Sequence, residues 1–190
     1  MKNCLLGAVA LGALLCASQV AAQSVKLSPA SPQPSAGSLS KGLAVKYARL
    51  PSSVRELAGA EKALKKAKPG KPLVGLTYED TDGKVLTSDS YEKIAADISG
   101  YIKFSKAGTY TLDFLNNDGL QLWIGGQEVA LYDGIHACGY SGEIEVSVPK
   151  AGYYELKANY FQRKGTSCLL MEWGPDSDGL ELVTNDVFFH

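Results

Sequence analysis

Histidine is scarce: among 190 residues only His136 and His190 carry an imidazole. That shortage removes most routes to catalysis. A serine or cysteine nucleophile needs a base within reach, and no Gly-x-Ser-x-Gly turn surrounds any serine. A Cys2His2 zinc site would consume both histidines and leave no ligand to spare. Walker and dinucleotide loops are missing as well. The 20 acids make some carboxylate pair inevitable, so composition adds nothing to a glycosidase reading. No enzyme is expected. Excess charge is also lacking, with 19 Lys and Arg against 20 Asp and Glu. Such a balance argues against nucleic acid as the main partner.

Long apolar runs are confined to the N-terminus. Leu5 to Cys16 is apolar for about a dozen residues, too short to span a bilayer comfortably. Lys2 precedes it, and Val20-Ala21-Ala22 supplies small residues for cleavage. This pattern predicts a secretory signal peptide over residues 1–22 and no membrane span. The chain is therefore expected in a periplasm or outside the cell. Cys4 and Cys16 would leave with the signal. Cys138 and Cys168 remain, and two cysteines in an oxidising compartment tend to pair. Their bridge would close a loop of about 30 residues, worth roughly 3–4 kcal/mol in the chain-entropy model.

Residues 23–41 are rich in Ser, Pro, Ala and Gly and poor in apolar residues. They read as a disordered spacer. Strand character follows around Leu43 to Tyr47. "PSSVRELAGAEKALKKAKPG" then turns helical, with a short helix expected near residues 53–67. Ser53 and Glu56 have the spacing of a capping box. Val54, Leu57, Ala58 and Leu64 form a thin apolar stripe, and Lys62, Lys65, Lys66 and Lys68 gather toward the C-terminal end, where the helix dipole favours cations. A solvated helix face explains those lysines more simply than an anionic partner does.

From Leu73 onward the pattern is β. Asp82-Gly83 divides two extended runs and predicts a hairpin. Tyr110, Leu112 and Phe114 alternate with polar residues, as do Leu120, Leu122 and Ile124. Gly125-Gly126 marks another hairpin. Ile144, Val146 and Val148 form one face of a strand, Tyr154, Leu156, Ala158 and Tyr160 another, and Leu169, Met171 and Trp173 a third. Many short strands with frequent turns predict an all-β antiparallel sandwich or barrel. Trp123 and Trp173 sit inside strands and are expected in the core. Between two of these runs lies Asn116-Asn117-Asp118-Gly119, whose residue types suit a turn.

Several phrases in sequence resemble one family. "SGYIKFSKAGTYTLDFLNNDGLQLWIGGQEV" and "KAGYYELKANYFQRKGTSCLLMEWG" follow the order and spacing of the protective-antigen fourteen-kilodalton domain, over residues 42–190. The resemblance implies a β-sandwich of that type, found in glycosidases, adhesins and toxins, that often binds carbohydrate. In the calcium-dependent adhesins of this fold, two consecutive aspartates joined by a cis peptide hold the ion that contacts sugar hydroxyls. The matching residues are Asn117 and Asp118, so one carboxylate is replaced by an amide. A second calcium loop would fall at Phe161 to Thr166, where Gln162 offers an oxygen while Arg163 and Lys164 bring positive charge. Ca²⁺ takes six to eight oxygen ligands. It is thus a candidate cofactor, held by Asn117 and Asp118.

The expected ligand-binding residues are Asn117, Asp118, Gly119, Tyr132, Asp133, His136, Tyr140, Gln162 and Arg163. Tyr132, His136 and Tyr140 flank a Gly-rich loop and could stack on sugar faces. The expected function is a non-catalytic, lectin-like module for a glycan or polysaccharide, perched on the cell envelope or released. The alternative is a structural or protein-interaction sandwich that binds an envelope protein and no sugar.

Overall fold

The computed structural model describes residues 24–175 and 179–190. The expected signal peptide lies outside the described residues. The strands are β1 (Val25–Lys26), β2 (Ala44–Arg49), β3 (Lys68–Pro69), β4 (Thr77–Thr81), β5 (Ile94–Phe104), β6 (Gly108–Asn117) and β7 (Gly119–Ile124). They continue with β8 (Gln127–Tyr132), β9 (Gly139–Tyr140), β10 (Ile144–Val148), β11 (Gly152–Gln162), β12 (Ser167–Gly174), β13 (Glu181–Leu182) and β14 (Phe188–Phe189). Among the described residues one α-helix, α1 (Leu57–Leu64), lies between β2 and β3.

Two sheets form the sandwich that the alternating pattern predicts. The first runs β1-β10-β6-β12-β13, with β4 also on β12 and β9 also on β6. The second runs β3-β2-β5-β11-β7-β8, with β14 also on β5. All these pairings are antiparallel except β1 with β10. Period-2 alternation explains the core. Phe114, Leu120, Leu122, Ile124, Tyr154, Leu156, Tyr160, Leu169 and Met171 are all fully buried between the sheets. Trp173 packs half-buried against that core, whereas Trp123 lies outside the core cluster. Gly125 and Gly126 both have positive φ, 55° and 78°, as a tight turn between β7 and β8 requires. Cys138 and Cys168 form the expected disulfide.

Four further expectations are corrected. The Ser/Pro-rich segment is not a free spacer. Val25 and Lys26 pair with Val146 and Ser147, and Leu27 is 1% exposed. Ser28 N donates to Gly125 O at 3.0 Å, and the Gln33 side chain bonds the Tyr153 backbone through both its amide atoms. A segment too polar for a core of its own can still dock, because the sandwich supplies the partners for its backbone.

The helix is shorter than expected and is not capped by a serine. It starts at Leu57, and its Glu56 cap residue makes no side-chain capping bond. The Leu57 N–H is taken instead by Asp133 Oδ1, 2.6 Å away. Ala60 rather than Ala58 faces inward. Leu57 and Ala60 cover Leu50, Ala95 and Phe161 in a second apolar cluster on the outer side of the second sheet.

Asp82-Gly83 does not close a hairpin. β4 pairs with β12, nearly 90 residues later by number, and residues 82–90 form turns. Nor is Asn116-Gly119 a hairpin turn. β6 belongs to the first sheet and β7 to the second, so the chain crosses the sandwich here with Asp118 between the two strands. None of the four residues has positive φ. Gly119 is demanded by proximity, since a Cβ there would lie 2.2 Å from the Phe161 ring.

Candidate ligand-binding site

The crossing places a run of polar side chains inside the protein. Asn116, Asn117 and Asp118 are 0%, 3% and 2% exposed. Asn116 follows Leu112 and Phe114 on the inward phase of β6, where an apolar residue is the norm. Its burial is matched by hydrogen bonds. Nδ2 donates to Asp118 O at 2.6 Å, and Oδ1 accepts from Ser141 Oγ at 2.7 Å. The Asn117–Asp118 peptide is cis. Asn117 O accepts from the buried Tyr160 hydroxyl, and Asp118 N donates to Phe161 O at 2.8 Å.

Two loops close over Asp118. Its Oδ1 accepts from His136 N at 3.2 Å and its Oδ2 from Arg163 N at 2.6 Å. Burial pushes the Asp118 carboxyl above its ordinary pKa, while the N–H groups of Arg163 and His136 draw it partly back. The Arg163 guanidinium donates to Ser52 O at 3.1 and 3.2 Å, and its charge still favours the ionised Asp118 carboxyl. The disulfide pins the His136 loop here, because Cys168 lies directly opposite Asn117 on β12. His136 Nε2 sits 2.7 Å from Asp118 O and 3.0 Å from Asn116 Nδ2. Its ring stacks on Tyr132 with centroids 3.6 Å apart.

The expected site residues therefore divide. Asn117, Asp118, Gly119, His136, Tyr132, Gln162 and the Arg163 backbone come together. Asp133 does not join them as a ligand, because its carboxylate caps α1. Tyr140 pairs with Leu115 on β6 of the first sheet and is exposed, and it is not part of the Tyr132–His136 stack. Asn116, Ser141 and Tyr160 support the site without having been expected. The legible signal was Asn116, a polar residue on the inward phase of a strand. Asp80 also comes close, its carboxylate within 4.8 Å of the Cys138 and Cys168 sulfurs. Those sulfurs are bonded to each other, so the three residues make no metal site.

Among the described residues, two buried side-chain oxygens lack a partner: Asn117 Oδ1 and Gln162 Oε1. Each would cost on the order of 1–3 kcal/mol if left unsatisfied. Gln162 is held by its other end, Nε2 donating to Gly165 O and Thr166 O at 3.0 and 3.2 Å. Hard cations take such amide oxygens, and a carboxylate that already accepts two N–H bonds keeps further lone pairs. These oxygens are of the type Ca²⁺ takes, and together they carry one formal negative charge.

The family profile of the PA14 domain matches residues 71–186, more than half of the chain. The chain belongs to the PA14 family. No curated protein matches it. Solved PA14 structures share the fold at low identity. The PA14 domain of the MpAFP antifreeze protein superposes with a TM-score of 0.66 at 14% identity, covering 82% of this chain and 93% of that one. A PA14 sugar-binding domain from an RTX adhesin gives 0.60 at 17%, covering 79% and 98%. The Epithelial Adhesin 9 A domain from Candida glabrata, in complex with Galβ1-3GlcNAc, gives 0.65 at 14%, covering 88% and 96%. Among the described residues, no helix of this PA14 chain is long and apolar enough to cross a membrane.

Proposed function

We propose that this PA14 chain is an exported, non-catalytic carbohydrate-binding module whose site is built around Asn117 and Asp118. The observation that carries the reading is the pair of unpartnered buried oxygens, Asn117 Oδ1 and Gln162 Oε1, beside a carboxylate whose burial disfavours its charge. A cation held by Asn117, Asp118 and Gln162 offsets both costs. When bound, Ca²⁺ supplies coordination positions that neighbouring sugar hydroxyls fill in place of water. The chain's own residues do the rest. Arg163 N and His136 N orient the carboxylate. Asn116 and the disulfide hold the loops that wall the site. The Tyr132–His136 stack offers an aromatic edge for the apolar face of a sugar. Export is supported by the N-terminal pattern of residues 1–22 and by the disulfide, which persists in oxidising compartments.

The test is a glycan array with the purified protein, run in calcium and again in chelator. Binding that disappears in chelator and in Asp118→Ala supports the reading. Binding that survives chelator keeps the lectin and removes the ion. A blank array in both conditions overturns the proposal and favours a protein-interaction sandwich.

A further inference from the structure

The near-neutral total hides a strong separation of charge. Residues 41–71 hold nine of the 19 Lys and Arg and only two of the 20 acids, a local balance of +7 that leaves −8 for the rest of the chain. This segment is β2, α1 and β3, so its charges fall on one region of the second sheet. Two open clefts lie there. One, of about 610 Å³, runs between α1 and β2 and carries Lys62 and Lys66 on the helix. The other, of about 560 Å³, runs between β2 and the loop at residues 87–90 and carries Lys71 with the Thr87, Ser88 and Ser90 side chains and one acid, Asp89, which is paired with Lys84 at 3.0 Å. They share Tyr47, Ala48, Arg49 and Lys68, and so make one continuous groove.

The cations along this groove are available. Lys62, Lys66, Lys68 and Lys71 are exposed, and none of them is in an ion pair among the described residues. Arg49 is only lightly engaged, donating to Ser90 Oγ at 2.8 Å and Glu92 O at 3.2 Å. Like charges collected without partners repel one another, and an anionic ligand relieves that repulsion. The floor is apolar under α1, where Pro51, Val54 and Ala63 line it, and hydroxyl-bearing beyond Arg49.

We infer that this groove is a second binding site, for a linear acidic polysaccharide bearing carboxylate or sulfate groups. Cations spaced along a continuous groove match a chain of repeated negative charges better than a single small anion. Sugar rings suit the mixture of apolar floor and hydroxyls. A single-stranded nucleic acid would need aromatic platforms for its bases, and the groove's one aromatic, Tyr47, is half-buried with its hydroxyl tied to Thr87 at 2.8 Å. The assignment of a saccharide rests on the carbohydrate reading above, but the groove shares no residue with the Asn117–Asp118 site and needs no calcium.

The experiment is binding of the purified protein to hyaluronan and to chondroitin sulfate, in chelator, with dextran and a single-stranded DNA oligonucleotide as comparisons. Two variants accompany the parent: the double change Lys62→Glu with Lys66→Glu, and Asp118→Ala. The expected result is saturable binding to an acidic polymer and none to dextran. Affinity should fall steeply between about 50 and 200 mM salt as released counterions lose their advantage. The lysine variant should bind at least tenfold more weakly, and Asp118→Ala should bind like the parent. Circular dichroism checks that both variants fold. The inference is overturned if no acidic polymer binds, if DNA binds more tightly than either polymer, or if the lysine variant binds undiminished. Calcium-dependent binding to neutral glycans is read separately on the array, so either site can fail alone.

Discussion

Arg163 faces two ways: its backbone N–H holds Asp118 Oδ2 at 2.6 Å, while its guanidinium reaches Ser52 O in the segment between β2 and α1. A residue whose charge argued against a calcium site thus orients the carboxylate through its backbone N–H, a stronger effect on Asp118 than that of its charge. Replacing Arg163 with alanine keeps the N–H and loses the bonds to Ser52. Calcium affinity is then expected to stay within about threefold of the parent in isothermal titration, whereas Asp118→Ala abolishes it. A large rise in calcium affinity in Arg163→Ala would mean that the guanidinium does repel the ion.

The single formal charge of the donor set limits its strength. Extracellular calcium modules with few charged ligands bind at roughly 10⁻⁴–10⁻³ M, and the same range is expected here. Asn117→Asp restores a second carboxylate beside Asp118. It should tighten calcium by roughly tenfold or more, since affinity follows the charge count of the ligands. Unchanged affinity would show that position 117 does not face the ion.

Protonation gives an independent handle on Asp118. Its folded pKa lies above its unfolded value, with burial as the main cause. In the ion-free protein this group's contribution is therefore fully present below the unfolded pKa. It is lost as pH rises through the raised folded value, where a buried charge must form. Calcium binds the ionised form, so its affinity should fall as pH drops through that same raised value, earlier than an ordinary carboxylate would predict. Denaturant melts across pH 3.5–7 read the first effect, and Asp118→Asn should flatten that step. Calcium titrations over the same range read the second.

The strands were legible because their side chains obey a period of two and their neighbours obey it too. Tyr154, Leu156, Ala158 and Tyr160 needed no partner strand to be placed inward. Apart from the Cys138–Cys168 disulfide, what escaped were contacts that depend on a distant partner. Ser53 and Glu56 have capping-box spacing, yet Asp133 supplies the bond to α1 from 76 residues away. Asp82-Gly83 has hairpin chemistry, yet β4 finds its hydrogen bonds on β12. Residues 23–41 cannot fold alone, yet Leu27 and the backbone of β1 complete a sheet already formed. At the site, family resemblance singled out Asn117 and Asp118. The supporting bonds come from Ser141 in the β9–β10 loop and Tyr160 on β11, which local pattern cannot bring together.

Asp133 offers a clean test of the helix that carries the basic groove. An acceptor at a helix N-terminus is worth about 0.5–2 kcal/mol. Asp133→Ala should cost about 1 kcal/mol, read as a lower denaturant midpoint with unchanged slope. Asp133→Asn keeps an acceptor oxygen and should recover much of the loss. If alanine costs nothing, the Leu57 N–H finds water instead, and the loop and helix are not coupled.

Gly119 is where fold and site constrain each other most tightly. The Phe161 ring lies 2.2 Å from where a Cβ would be, and Phe161 is itself buried beneath α1. Gly119→Ala therefore cannot be absorbed by a flexible side chain. The ring must move against Leu57 and Ala60, or β7 must retreat from β11. Overpacking of this kind costs typically 1–3 kcal/mol. Because Phe161 O also accepts the Asp118 N–H, the same shift disturbs the Asp118 carboxylate and Gln162, one residue beyond. The variant should lose both stability and calcium affinity, and the double variant Gly119→Ala with Phe161→Leu should regain part of each. Stability lost with calcium affinity intact would show that the donor set tolerates movement of β11, and that Asp118 is held by the two loop N–H groups alone.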